Sequence, residues 1–327
     1  MKKSVLSLLL TASLSVALSC PAFAHESYIL YFAEEDSEDS VAGMTAWMFA
    51  DLVLAYTGHS LAVDVYTDGE LGTHEECLEN LMGDGDVVNF MRLAPSELKS
   101  LGVDDVSLLS LPYTFDSHEA FRDFTRGKGA EELLEAPEDA KSHMVGIGYM
   151  ELGFFHTAFK DDVSSLAGYE GKTIAISGTD AMEDVVLSLG AVPASLPEDL
   201  ESALSSGDID AVEATLLSYD EAQLSSLASS LVLDRHRMDV YQIVMSAATW
   251  RILTRAERMA VRTAAQEAAA YNASLIEQRE AMLIDALREA GVSIAEPESA
   301  PFKEAAQDAI DTAVGKSTKL YKKILDR

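Results

Sequence analysis

TIAISGTDAMEDVVLSLGAVP, residues Thr173 to Pro193, is the stretch on which the fold turns. Its first four residues predict a strand over Thr173–Ile176. Thr179 or Asp180 then offers an N-cap, Asp180–Leu189 carries apolar residues at helical spacing, and Gly190 stands at C′, where helices end. The same alternation runs outward on both sides. Upstream, Ser27–Ala33 and Leu61–Tyr66 predict strands around a helix at Val41–Thr57, which Gly58 closes. A helical His74–Met82 and a strand at Val87–Phe90 follow, then strands at Ile147–Tyr149 and Gly153–Ala158. Downstream, Ser195-Leu196-Pro197-Glu198 opens a helix, with the serine as cap and Glu198 at capping-box spacing. So regular a succession excludes an all-α or all-β chain and predicts α/β lobes with largely parallel sheets.

Thr254 to Ala290 contains neither Gly nor Pro and begins with capping-box spacing, Thr254-Arg255-Ala256-Glu257. As one helix it would run about 55 Å, longer than a lobe of roughly 150 residues is wide. Two readings follow: two helices broken near Asn272 or Ser274, or one helix that leaves one lobe and braces the other. The chain has 327 residues, more than one compact core usually holds, so two lobes are expected. It has no Pro/Ser linker, which favours a chain that crosses between lobes more than once, the plan of hinged proteins that close around a ligand.

The first residues, MKKSVLSLLLTASLSVALSCPAFA, predict a signal peptide over residues 1–24: Lys2 and Lys3, an apolar Val5–Leu18, and a small-x-small Ala22-Phe23-Ala24 before His25. Cys20 raises a lipoprotein alternative, but Ala17 stands where a lipobox wants leucine. No later run approaches the ~18 apolar residues of a membrane span, so an exported, soluble, periplasmic protein is expected. Removing the leader leaves Cys77 as the lone cysteine, read as a small core residue. With 24 Lys+Arg against 55 Asp+Glu the formal charge is -31, which excludes a nucleic-acid partner and suits solubility in a salty medium.

Motifs of catalysis are absent. Gly171-Lys172-Thr173 ends like a phosphate-binding loop, but Leu166 occupies the position of its first glycine. There is no G-x-S-x-G, G-x-G-x-x-G or H-E-x-x-H, and His74-Glu75-Glu76 and His118-Glu119 read as solvated surface residues. No enzyme, metal or cofactor is expected.

The order of several short motifs carries a resemblance. Val65-Tyr66 precedes Gly69-Glu70-Leu71-Gly72, and Leu111-Pro112-Tyr113-Thr114-Phe115 precedes His118-Glu119-Ala120. Leu166 to Ile174 (LAGYEGKTI) and Leu189-Gly190-Ala191-Val192-Pro193 follow. Then come Asp199-Leu200-Glu201, Ala203-Leu204, Gly207, Asp210 and Glu213, and last Trp250, Leu253 and Phe302. In this order they resemble the DctP-type extracytoplasmic receptors of tripartite ATP-independent periplasmic (TRAP) transporters. The resemblance implies two α/β lobes in a periplasmic-binding-protein fold, a central ligand cleft, and a long helix spanning both lobes. It also implies a small organic solute as ligand, and small and large integral membrane subunits as partners. The expected division is 25–151 with 238–274 as one lobe and 152–237 with 275–327 as the other, in a monomer.

Three positions depart from the family pattern. Its substrate-binding arginines fall at Phe155 and Ala175, and the asparagine after its glutamate, here Glu213, is Ala214. The ligand is therefore expected to be atypical. In one reading a carboxylate has moved to Arg92, at the end of a strand. In the other the ligand is neutral, zwitterionic or cationic: Phe155, Tyr219 or Tyr241 stacks on it, and Glu34 or Glu213 supplies an acceptor. His156 and Ser177 complete the expected site. A sensory module presenting its closed form to a membrane receptor kinase is the alternative function.

Overall fold

The computed structural model describes residues 28–177 and 180–326. The predicted leader and the cap at Thr179 lie outside the described residues. The strands are β1 (Tyr28–Ala33), β2 (Leu61–Tyr66), β3 (Phe90–Leu93), β4 (Met144–Phe159), β5 (Thr173–Ile176), β6 (Val192–Ser195), β7 (Ala211–Thr215), β8 (Ser230–Ser246) and β9 (Ser293–Ala295). The first half carries helices α1 (Val41–Tyr56), α2 (His74–Met82), α3 (Pro95–Ser100), α4 (His118–Phe124) and α5 (Lys128–Asp139). The second carries α6 (Asp180–Ser188), α7 (Leu200–Ser206), α8 (Leu216–Glu221), α9 (Ala247–Ile252), α10 (Arg255–Glu289), α11 (Ala300–Val314) and α12 (Thr318–Leu325).

The strands line up as β2-β1-β3-β8-β4-β7-β5-β6, with β9 also on β8. The flanks pair in parallel, β1 with β2 and β3, and β5 with β6 and β7. The long central strands do not: β8 meets β3 and β4 antiparallel, and β4 meets β7 antiparallel. The expected largely parallel sheets are thus confined to the flanks, because two long strands, β4 running out and β8 running back, carry the chain between the halves.

Local chemistry explains where sequence pattern and structure part. The two strands expected at Ile147–Tyr149 and Gly153–Ala158 are one strand, β4, whose register against β8 slips between Glu151 and Phe154. Gly153 sits at that bulge with φ +92°, a left-handed conformation that glycine takes without a Cβ penalty. The strand expected from Val87 starts only at Phe90, because Asn80 Oδ1 accepts from the amides of Val87 (3.1 Å) and Val88 (2.7 Å) and holds them in a loop. The helix expected to open at Ser195 begins at Leu200. Ser195 is still paired with Ile176 in the sheet, and Asp199 caps the helix by accepting from Ser202 N at 2.9 Å.

Helix α10 is a single helix of 35 residues, about 52 Å long, and the predicted capping box at Thr254 and Glu257 is present. Asn272, where a break was one of the two readings, is fully buried instead. Its Oδ1 accepts from Glu151 N (2.8 Å) and its Nδ2 donates to Glu151 O (3.0 Å) and Thr45 Oγ1 (3.2 Å). Small residues let the helix lie close on β4: a Cβ at Gly148 would come within 2.7 Å of Ala265 Cβ. Val261, Ala264, Ala265 and Ala268 pack with Phe32, Phe49 and Phe90 under α1, while Leu287 joins a separate core with Tyr219, Leu224 and Leu231. One helix thus contributes to the cores of both halves.

Candidate functional site

Strand β8 positions the site by alternation. Arg237, Asp239 and Tyr241 are partly exposed, while His236, Met238, Val240 and Gln242 between them are buried. The partly exposed face opens on two adjoining cavities that share Ala94 and Tyr241. One, of about 310 Å³, is lined by Glu34, Tyr66, His74, Arg92 and Tyr241 among others. The other, of about 300 Å³, lies between Ala94–Ser96, Ser110, Phe155, Ser177, Arg237 and Asp239.

In the first cavity Arg92 is held by two carboxylates. Its Nε donates to both oxygens of Glu34 at 3.0 Å, and its Nη2 reaches Glu34 Oε1 and Asp36 Oδ2, each at 2.9 Å. Its guanidinium stands 4.6 Å from the Tyr241 ring centroid. The Glu34 side chain is fully buried, so this pair is a fixed part of the cavity wall.

In the second cavity Arg237 lies directly across the ladder from Phe155, its guanidinium 4.0 Å from that ring's centroid. Its Nη2 donates to Glu213 Oε1 (2.9 Å) and to Ser177 O (3.2 Å), while its buried Nε has no hydrogen-bond partner among the described residues. Glu213 Oε1 also accepts from Ser177 N and Oγ at 2.6 Å, and Oε2 meets His236 Nε2 at 3.1 Å. The line continues inward: His236 Nδ1 bonds Asp234 Oδ1 (3.0 Å), and Asp234 Oδ2 accepts from Thr157 Oγ1 (2.9 Å) and Tyr169 OH (2.8 Å).

Alternating charge fixes the protonation of this line. Burial opposes the His236 cation, yet Asp234 and Glu213 push its pKa up to about 9. Burial would raise Asp234 and Glu213, but His236 and His156 hold Asp234, and Arg237 and His236 hold Glu213, below the ordinary carboxylate range. Asp239 differs. Burial pushes it up to about 6 against the pull of Arg237 and Arg92, and the hydrogen bond that reaches it comes from Tyr241 OH at 3.4 Å.

The expected site residues divide accordingly. Glu34, Arg92, Phe155, Ser177 and Tyr241 line the cavities, and Glu213 stands just behind, holding Ser177 and Arg237. Ala175, His156 and Tyr219 do not line them: Ala175 is a core residue beside Val212, and His156 Nδ1 accepts from Arg235 N. Tyr219 is fully buried, its OH donating to Ala228 O. His118, expected at the surface, is wedged between Glu151 (2.7 Å) and Glu280 (2.9 Å) at the β4 bulge. Burial opposes its charge, but those bonds push its pKa up to about 10. Arg237 and Asp239 are absent from the sequence expectation. Their signal was the alternation in Arg235-His236-Arg237-Met238-Asp239-Val240-Tyr241. Cys77 is buried, as expected.

A two-lobed α/β scaffold with a charged cleft beside its crossing strands defines a periplasmic-type solute receptor. Comparison with known proteins makes this specific: the DctP family, bacterial extracellular solute-binding protein family 7, matches residues 32–317, and the chain belongs to that family. The C4-dicarboxylate-binding periplasmic protein DctP of Rhodobacter capsulatus is 26% identical over 284 residues, 86% of this chain and 83% of the relative. Among solved structures, a TRAP periplasmic solute-binding protein from Ochrobactrum anthropi, with its C-terminus bound in the ligand pocket, superposes with a TM-score of 0.83 at 24% identity. That match covers 92% of this chain and 96% of the other. A Bradyrhizobium TRAP protein in complex with galacturonate gives 0.76 at 26% identity, over 92% and 100%.

Proposed function

We propose that the protein captures a small organic solute in the joined cavities along β8, closes over it, and delivers it to the small and large membrane subunits of a TRAP transporter. The observation that carries this is the cleft itself, where two arginines, each tied to a buried carboxylate, face two adjoining polar and aromatic cavities. The lobes would be 25–151 with 238–274 and 152–237 with 275–327, hinged where the β4 register slips beside Gly153. The ligand differs from those of the acid-binding relatives, because Phe155 and Ala175 stand where a guanidinium is expected. Arg92 is a poor substitute: a solute carboxylate there would meet Glu34 and Asp36, which already hold it. Small-angle scattering with pooled candidate solutes tests the reading. A pool containing the ligand should reduce the radius of gyration and raise the Tm; a folded protein that no pool compacts would refute solute capture. Uptake into vesicles carrying the membrane subunits should then require the receptor.

A further inference from the structure

Resting on the receptor reading, we propose that the solute is a zwitterion, its carboxylate held by Arg237 and its ammonium or amidinium group by Asp239. Phe155 and Arg237 are direct partners across the β4–β8 ladder, so the guanidinium missing at Phe155 is supplied from the neighbouring strand and laid over its ring. Glu213 and Ser177 fix that guanidinium through Nη2, Nε is buried without a partner among the described residues, and the Arg237 side chain lines the cavity. Such a group is built to donate and is already oriented, which lowers the cost of engaging a carboxylate.

Asp239 lies two residues on along the same face of β8 and lines the same cavity. Neither neighbouring arginine bonds it, since Arg237 is turned to Glu213 and Arg92 to Glu34 and Asp36. The contact it receives, 3.4 Å from Tyr241 OH, is at the weak end of hydrogen bonding. A partly buried carboxylate with no cation bonded to it is costly in the free protein, and a cationic group on the ligand removes that cost. A simple acid on Arg237 would lie beside the Asp239 charge, and a simple cation on Asp239 would lie beside Arg237. A solute bearing both charges satisfies both side chains. Strand geometry puts the two Cα atoms about 6.7 Å apart, enough for several bonds between the charges.

The experiment is a thermal-shift and calorimetric series on the purified protein. L-alanine, β-alanine, 4-aminobutyrate and glycine betaine are set against butyrate, succinate and D-glucuronate as anions and against choline and putrescine as cations. At least one zwitterion should raise the Tm by several degrees and bind at least tenfold more tightly than any singly signed probe. Asp239→Asn and Arg237→Gln, each with an unchanged circular-dichroism spectrum, should weaken that zwitterion roughly ten- to hundredfold. A uronate or dicarboxylate binding more tightly than every zwitterion would overturn the proposal, as would a cation doing so. So would an Asp239→Asn variant that binds the zwitterion as well as the parent, or a panel in which nothing binds. If these fail while pooled solutes still compact the protein, the receptor reading survives and the zwitterion alone is lost.

Discussion

Asp239 and Arg92 are both ionisable groups in the cleft wall, and they sit on opposite sides of a stability balance. Burial of Asp239 outweighs the pull of Arg237 and Arg92, and no ion pair reaches it among the described residues, so Asp239→Asn should stabilise the ligand-free protein by about 1–3 kcal/mol. The sign follows from its raised pKa. The folded protein binds this proton more tightly than the unfolded chain does, so stability is lost as pH rises from the ordinary aspartate range through about 6. The gain from the asparagine should therefore be larger in urea unfolding at pH 7.5 than at pH 4. The groups facing Asp239 are the Arg237 and Arg92 guanidinium groups, the Glu213 carboxylate and the Tyr241 hydroxyl. Arg92→Ala should do the reverse, leaving Glu34 buried without its cation at a cost of about 3–5 kcal/mol. Arg92 was legible as a polar residue at a strand end. Its partner was not, because the pairing of strands β1 and β3 that joins residues 58 positions apart is a tertiary fact.

At the scale of elements, α10 was fully visible at its start, where Thr254 and Glu257 announce the cap, and ambiguous at its centre. Asn272 has low helix propensity and suggested a break, yet its amide clasps both backbone groups of Glu151 at the β4 bulge. Asn272→Leu leaves those groups unbonded and should cost about 2–4 kcal/mol, measured by urea unfolding. The same bulge hid β4 from pattern reading, since Glu151 and Gly153 interrupt the apolar run where the strand only bends. Gly153→Ala would combine a left-handed φ with a collision against Glu280, and it should destabilise the protein by about 1–3 kcal/mol. His118 braces that spot. Its raised pKa means that its contribution is present below about pH 6.5 and lost as pH rises through about 10. His118→Gln should accordingly flatten the decline in stability between pH 7 and 10.

The whole molecule carries a formal charge of -31, which composition alone disclosed. Self-repulsion on that scale predicts a Tm that climbs by several degrees from roughly 0.01 M to 1 M salt, as the Debye length falls from about 30 Å to 3 Å. The alternating elements and the motif order also made the α/β class and the family legible. The mixed sheet was not, because strand direction depends on how many times the chain crosses between halves. Those crossings have a consequence during biosynthesis. The half built around β1 to β3 needs β8 as its sheet neighbour and α10 against α1, and α10 ends only at Glu289. The α10 residues in that core end at Ala268, so a nascent chain must emerge to roughly four-fifths of its length before its first core can close, and until then it has no finished half to resist being unfolded.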